Sequence, residues 1–155
     1  MIQPSILDII AIALAAIHFG VPLTYYLYMK KKYLHKPWNL KTDPNYRPKV
    51  SIIVPTYNEA DLIEKKLNNI YEQNYPKELM EVIVIDSAST DGTPQIVEEW
   101  IKKRPDMNIK LIREPERRGK AHALNEALKH TSGEIIITAD VDAYWPNNAI
   151  LETVK

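Results

Sequence analysis

From Ile9 to Met29 the chain runs for 21 residues without a formally charged side chain, IIAIALAAIHFGVPLTYYLYM. At 1.5 Å rise per residue such a helix matches a hydrocarbon core of roughly 30 Å, so the run reads as one transmembrane helix. His18, Gly20 and Pro22 interrupt it. Gly and Pro are tolerated in membrane helices, and a lone mid-span histidine is explained by a hydrogen bond to a neighbouring helix. Tyr25, Tyr26 and Tyr28 cluster where an interfacial aromatic belt sits. The rival reading is a signal peptide, which calls for a basic flank before the apolar stretch and a small-residue cleavage site after it. Here the preceding flank carries Asp8, and Lys30, Lys31, Lys32 and Lys36 follow. By the positive-inside rule those lysines, and everything after them, are expected in the cytoplasm, with membrane lipid headgroups as neighbours.

Composition narrows the remainder. The 155 residues include no Cys, which excludes a disulfide-stapled domain and thiolate metal sites. Lys+Arg and Asp+Glu both number 20, and a nucleic-acid binder would need a basic excess. The balance hides an asymmetry: residues 1 to 29 sum to −1, residues 30 to 49 to +6, and residues 50 to 155 to −5. The expected organisation is a flank at 1–8, a membrane helix at 9–29, a basic linker at 30–48 punctuated by Pro37, Pro44 and Pro48, and a soluble domain at 49–155. About 105 residues are near the low end for a self-sufficient core.

In that domain apolar runs alternate with helical periodicity in the order β, α, β, α, β, α, β. Strands are expected at Val50 to Val54, Glu81 to Ile85, Ile109 to Ile112 and Glu134 to Thr138. They are mostly continuous β-branched runs of the kind buried on both faces of a parallel sheet. Apolar stripes mark the helices: Leu62, Ile63, Leu67, Ile70 and Tyr71; Ile96, Val97, Trp100 and Ile101; Ala121, Leu124, Ala127 and Leu128. Thr93 followed by Pro94 predicts an N-cap and first turn. Together these imply a doubly wound α/β fold.

Such sheets bind ligands beyond the carboxyl ends of their strands, where helix N-termini converge. The first exit reads Pro55-Thr56-Tyr57-Asn58-Glu59, the second begins at Asp86, the third runs from Arg113 to Lys120, and the fourth is Asp140-Val141-Asp142. In an extended chain Asp140 and Asp142 point to one side. Two such carboxylates suit a hard divalent cation, Mg²⁺ or Mn²⁺, that completes its shell with water and phosphate; the competing reading is a solvated acidic turn. Arg117, Arg118 and Lys120 beside a helix start have the wrong sign for its dipole unless an anion binds there, although a solvated basic turn also accommodates the two arginines. The glycine signatures of dinucleotide and P-loop sites are missing. A nucleotide would then be recognised by polar side chains, with Asp86 accepting from a base or ribose and Tyr57 either stacking or packing on the sheet.

The segments SIIVPTYNEADLI, EVIVIDSASTDGT, RRGKAHALNEAL and SGEIIITADVDA, in this order and spacing, resemble the nucleotide-binding half of family 2 glycosyltransferases of the GT-A fold. With the span before them they are similar to membrane-bound polysaccharide synthases of the hyaluronan, cellulose and poly-N-acetylglucosamine kind. The resemblance implies an incomplete, mostly parallel GT-A sheet preceded by one transmembrane helix. It implies a nucleoside pocket lined by Pro55, Thr56, Tyr57 and Glu59, Asp86 on the base, Lys120 near the nucleotide, Asp140 on the ribose or diphosphate, and Asp142 on the metal. The implied activity is inverting transfer of a sugar from a nucleotide-sugar donor, a UDP-sugar first among candidates. Two departures qualify it. The second exit reads DSAS where many relatives have DDGS, so a less tightly turned loop is expected. The acceptor-activating acid and the Q-x-x-R-W segment of processive members have no counterpart up to Lys155, so no catalytic base is nominated and a partner chain supplying the acceptor half is one expectation. A non-catalytic nucleotide-sugar-binding module is the alternative. A D-x-D phosphatase is disfavoured because Tyr144 occupies the position where that motif expects Thr or Val.

Overall fold

The computed structural model describes residues 3–34, 36–37 and 41–155. The linker positions 35 and 38–40 and the first two residues of the flank therefore lie outside the described residues. The chain divides into two units, Met1–Lys41 and Thr42–Lys155.

In the first unit α1 spans Ile6–Met29 and continues as a π-helical turn over Lys30–Leu34. Ser5 and Asp8 form a reciprocal capping box: the Asp8 amide donates to Ser5 Oγ at 3.3 Å and the Ser5 amide to Asp8 Oδ2 at 2.8 Å. Pro22 lies inside the helix, and no residue of α1 is buried. The stretch Ile6–Leu34 is long and apolar enough to cross a membrane.

The second unit is a four-stranded, all-parallel sheet in the order β3-β2-β1-β4. The strands are β1 (Val50–Thr56), β2 (Met80–Asp86), β3 (Asn108–Arg113) and β4 (Ile135–Thr138). Helices α2 (Ile63–Tyr71), α3 (Thr93–Lys103), α4 (Lys120–Leu128) and α5 (Ala149–Val154) complete it. Strand alternation sorts the core into two layers. Val50, Ile52 and Val54 of β1 and Met80, Val82 and Val84 of β2 face a layer containing Ile63, Leu67, Val97, Trp100 and Ile150. Ile53, Ile83 and Ile85 face Ala123 and Ala127 of α4. The alanines let α4 approach the sheet closely, and each fully buried Val or Ile contributes about 1.5–3 kcal/mol.

Burial on both faces holds for the central β1 and β2. The edge strands β3 and β4 instead alternate between partly buried and exposed positions, because each has one neighbouring strand and less helix cover. Thr93 is not the cap of α3. Gly92, with φ +94°, occupies that place, while Asp91 Oδ1 accepts both the Thr93 amide (3.0 Å) and its hydroxyl (2.6 Å). The extended path expected through Asp140 and Asp142 also fails. The Ala139 amide donates to Ile53 O at 2.9 Å, after which β1 offers this segment no further ladder bond and residues 141–142 turn.

Candidate functional site

The register sets Thr56 opposite Asp86 and Asp86 opposite Arg113, so β1, β2 and β3 end on one rim. The loops leaving β1 and β2 are laced together there. The Asn58 amide donates to Ser89 Oγ (2.8 Å), Glu59 to Thr93 Oγ1 (2.9 Å), Ala60 to Asp91 Oδ2 (2.9 Å) and Thr90 to Asn58 Oδ1 (2.9 Å). Asn58 and Ala88 both take left-handed backbone, at φ +54° and +58°. Asn tolerates this; Ala does so at a cost of about 1–2 kcal/mol. The DSAS loop thus keeps a tight turn despite lacking glycine at position 88, because Asp86 accepts from the Ser89 amide (2.9 Å) and hydroxyl (2.5 Å) across it.

At this rim lies a cleft of about 370 Å³. Pro55, Thr56, Tyr57, Glu59, Lys120, Asp140 and Asp142, all singled out from the sequence, line it, together with Ser87, Arg117, Gly119 and Val141. Asp86 does not line it. Its register partner Thr56 does, and the Asp86 carboxylate is turned into the loop, where it is engaged by Thr56 and Ser89. Its Oδ1 also accepts from Thr56 Oγ1 at 3.2 Å, and the residue is 2% exposed. Ser87, the next residue, reaches the cleft wall instead; its hydroxyl donates to buried Glu114 Oε2 (2.6 Å), whose Oε1 lies 2.7 Å from His122 Nδ1.

The basic run divides its work. Arg118 pairs with Glu116 at 2.7 Å and is absent from the cleft wall. Arg117 lies over the Tyr57 ring, 3.9 Å from its centroid, and both residues line the cleft. Lys120 pairs with Asp140, joining the start of α4 to the exit of β4. Asp140 and Asp142 are both solvent-exposed. Asp142, whose carboxylate makes no hydrogen bond or ion pair among the described residues, and Asp140 beside it on the wall of a cleft that also carries cations fit a hard divalent ion completed by phosphate oxygens and water. Among the described residues no three His, Asp or Glu side chains converge to hold an ion alone.

Lys66 was not singled out from the sequence. It sits on α2 and is 2% exposed; its Nζ donates to Ala143 O at 2.7 Å and lies 4.0 Å from the Trp145 ring centroid. Burial pushes the ammonium down to about 8, with Asp140 and Asp142 partly holding it up. The available signal was a charged residue abutting the apolar stripe of a helix, which reads equally as a solvated face.

A sequence model described as glycosyl transferase family 2 matches residues 51–155. Among solved structures, the chain is similar to mannosyltransferase PcManGT from Pyrobaculum calidifontis in complex with GDP-Man and Mn²⁺, at 56% identity and a TM-score of 0.86, over 94% of this chain and 44% of that one. It is similar to Staphylococcus aureus TarS 1-349 in complex with UDP-GlcNAc, at 37% identity and a TM-score of 0.62, over 68% of this chain and 30% of that one. A Methanococcus voltae dolichyl N-acetyl-alpha-D-glucosaminyl phosphate 3-beta-D-2,3-diacetamido-2,3-dideoxy-beta-D-glucuronosyltransferase is 40% identical over 95 residues, 61% of this chain and 29% of that protein. The chain spans about a third or less of the first relatives it matches. The matched segment takes in all four strand exits and every residue of the cleft, and the chain belongs to glycosyl transferase family 2.

Proposed function

We propose that this chain is the donor-binding part of a membrane-anchored, inverting glycosyltransferase, with α1 in the bilayer and the cleft on the cytoplasmic side. The observation that carries the reading is the convergence of Tyr57, Lys120, Asp140 and Asp142 from three separate strand exits on one cleft. Tyr57 offers the nucleoside an aromatic face, with Pro55, Thr56 and Glu59 beside it. Lys120 and Arg117 present positive charge to a diphosphate near the first turn of α4. Asp142, with Asp140, would hold Mg²⁺ or Mn²⁺, which when bound stabilises negative charge on the departing diphosphate. In inversion the acceptor oxygen bonds to the anomeric carbon as the carbon–diphosphate bond breaks, and the hydroxyl proton passes to a base that we do not assign to any residue of the cleft.

GDP-mannose is the first donor to test, because the 56%-identical structure carries it with Mn²⁺. UDP-N-acetylglucosamine is the second, found with TarS. Titration calorimetry on the full chain in detergent, with Mn²⁺ and with chelator, is the test. At least one donor is expected to bind roughly tenfold or more tightly with the cation, a gain of at least about 1.4 kcal/mol. Equal affinity in chelator overturns the metal assignment, and no affinity for either donor overturns the reading as a whole.

A further inference from the structure

Between the last ladder bond of Ala139 and the start of α5 at Ala149, the backbone is irregular and has no strand partner. Its polar groups still require partners. Many of them come from one row of side chains, Lys66 and Asn69 on α2 and Gln73 in the bend just after it. Lys66 Nζ donates to Ala143 O at 2.7 Å. Asn69 closes a two-way pair with Trp145, donating from Nδ2 to its carbonyl (2.8 Å) and accepting its amide at Oδ1 (2.9 Å). Gln73 donates to Pro146 O (2.9 Å) and accepts the Ile150 amide (3.3 Å). The Asn74 amide adds a bond to Asn147 O at 2.6 Å. Lys66 and Asn69 stand on one side of α2, beside the stripe of Ile63, Leu67 and Ile70, and Gln73 follows two residues beyond the helix end. All three are buried. Helix α2 and the bend that follows it do for the segment after β4 what a neighbouring strand does inside the sheet.

We propose that Lys66, Asn69 and Gln73 are positioning residues for Asp140 and Asp142. The acid pair lies between two anchors, Ala139 on β1 and Ala143 on Lys66, and is itself free of the sheet. A smaller cleft of about 160 Å³ is lined by Lys66, Asn69 and Asp142 together, so two members of the row share a cleft with the carboxylate that also lines the donor cleft. The nucleoside side of the donor cleft is laced by a different set of bonds, those between residues 58–60 and 89–93. Loosening the row therefore lowers cation-dependent binding and spares the nucleoside contacts. The inference rests on the divalent-cation reading above.

Charge alone predicts the opposite sign, which makes the test decisive. Lys66 is close enough to Asp140 and Asp142 for their charges to act on it, so removing its ammonium should by itself tighten cation binding. Lys66→Met keeps the stem and removes the donor; Gln73→Met does the same at the other end of the row and serves if Lys66→Met does not fold; Lys102→Met, exposed on α3 and away from both clefts, is the charge-matched control. Donor affinity is measured for each full-length variant with Mn²⁺ and with chelator, beside circular dichroism and melting. The Mn²⁺-dependent gain is expected to fall roughly tenfold in Lys66→Met and Gln73→Met, with affinity in chelator within about twofold of the parent and Lys102→Met unaltered. A Lys66→Met protein that retains or strengthens the Mn²⁺ gain overturns the proposal, as does equal loss with and without Mn²⁺. If the parent itself shows no Mn²⁺ gain, the cation reading has failed instead, and the row is left with a purely structural role.

Discussion

The two ends of the same sheet use carboxylates in opposite ways. At the amino ends of the strands Glu81 is 1% exposed and accepts from Ser51 Oγ (2.7 Å), Ser132 N (2.8 Å), Ser132 Oγ (2.9 Å) and Lys110 Nζ (3.1 Å). Burial alone would raise its pKa, but these donors outweigh that and hold the carboxyl at about 2. The Ser51 hydroxyl is engaged again by the Gly133 amide at 2.8 Å, and Tyr75 Oη reaches Pro48 O at 2.5 Å. At the carboxyl ends Asp140 and Asp142 stay exposed beside a cleft. A charge taken out of water must be surrounded by fixed donors, and once surrounded it has nothing left for a ligand. The lower edge therefore contributes to stability, and at the upper edge Asp142 keeps an exposed carboxylate without a side-chain partner among the described residues.

That contrast breaks first at Gly133. A Cβ there would sit 2.5 Å from Ser51 N, 2.7 Å from Ser51 Oγ and 2.8 Å from Val50 C, and the backbone of a central strand cannot yield. Gly133→Ala is expected to lose on the order of 3 kcal/mol in a urea melt, while the folded fraction binds donor as before. A loss under about 1 kcal/mol would show the lower edge to be slack.

Acid tests the same edge more gently. The folded-state value of Glu81 lies below its ordinary 4.5, so its contribution is complete above pH 4.5 and disappears as pH falls toward 2. The urea midpoint should drop across that window by the equivalent of about 2 kcal/mol more in the parent than in Glu81→Gln, which no longer titrates. Identical pH profiles for the two would refute the buried-carboxylate account. At the upper edge Asp142→Asn should change stability by no more than about 0.5 kcal/mol, because the side chain is exposed. The same variant should lose the Mn²⁺ gain in calorimetry; a stability change comparable to that of Gly133→Ala would mean that the two edges are not distinct.

Much of this was legible in the chain itself. Continuous β-branched runs named the strands, 3.6-residue stripes named the helices, and polar residues after each strand named the rim, because all three are local consequences of side-chain spacing. Asp86 shows where local reading stops. Its position at a strand exit is visible in the sequence, but the bonds that its carboxylate accepts from Thr56 and Ser89 are not, and with them made Ser87 rather than Asp86 forms the cleft wall. Thr93 failed for a smaller reason, since Asp91 and Gly92 supply an alternative start to the helix one residue earlier.

The sequence by itself determined the long uncharged helix, the alternating α/β order and the residues at the strand exits, since these follow from periodicity over a few neighbours. Only the tertiary structure decided the strand order β3-β2-β1-β4, the turn that brings Asp140 and Asp142 to one cleft, and the row of Lys66, Asn69 and Gln73 that binds the segment after them. Lys66 meets Ala143 across 77 residues of chain. Nothing in the spacing around either residue encodes that meeting, because it is set by how β1 and β4 pair and how α2 then packs against the sheet.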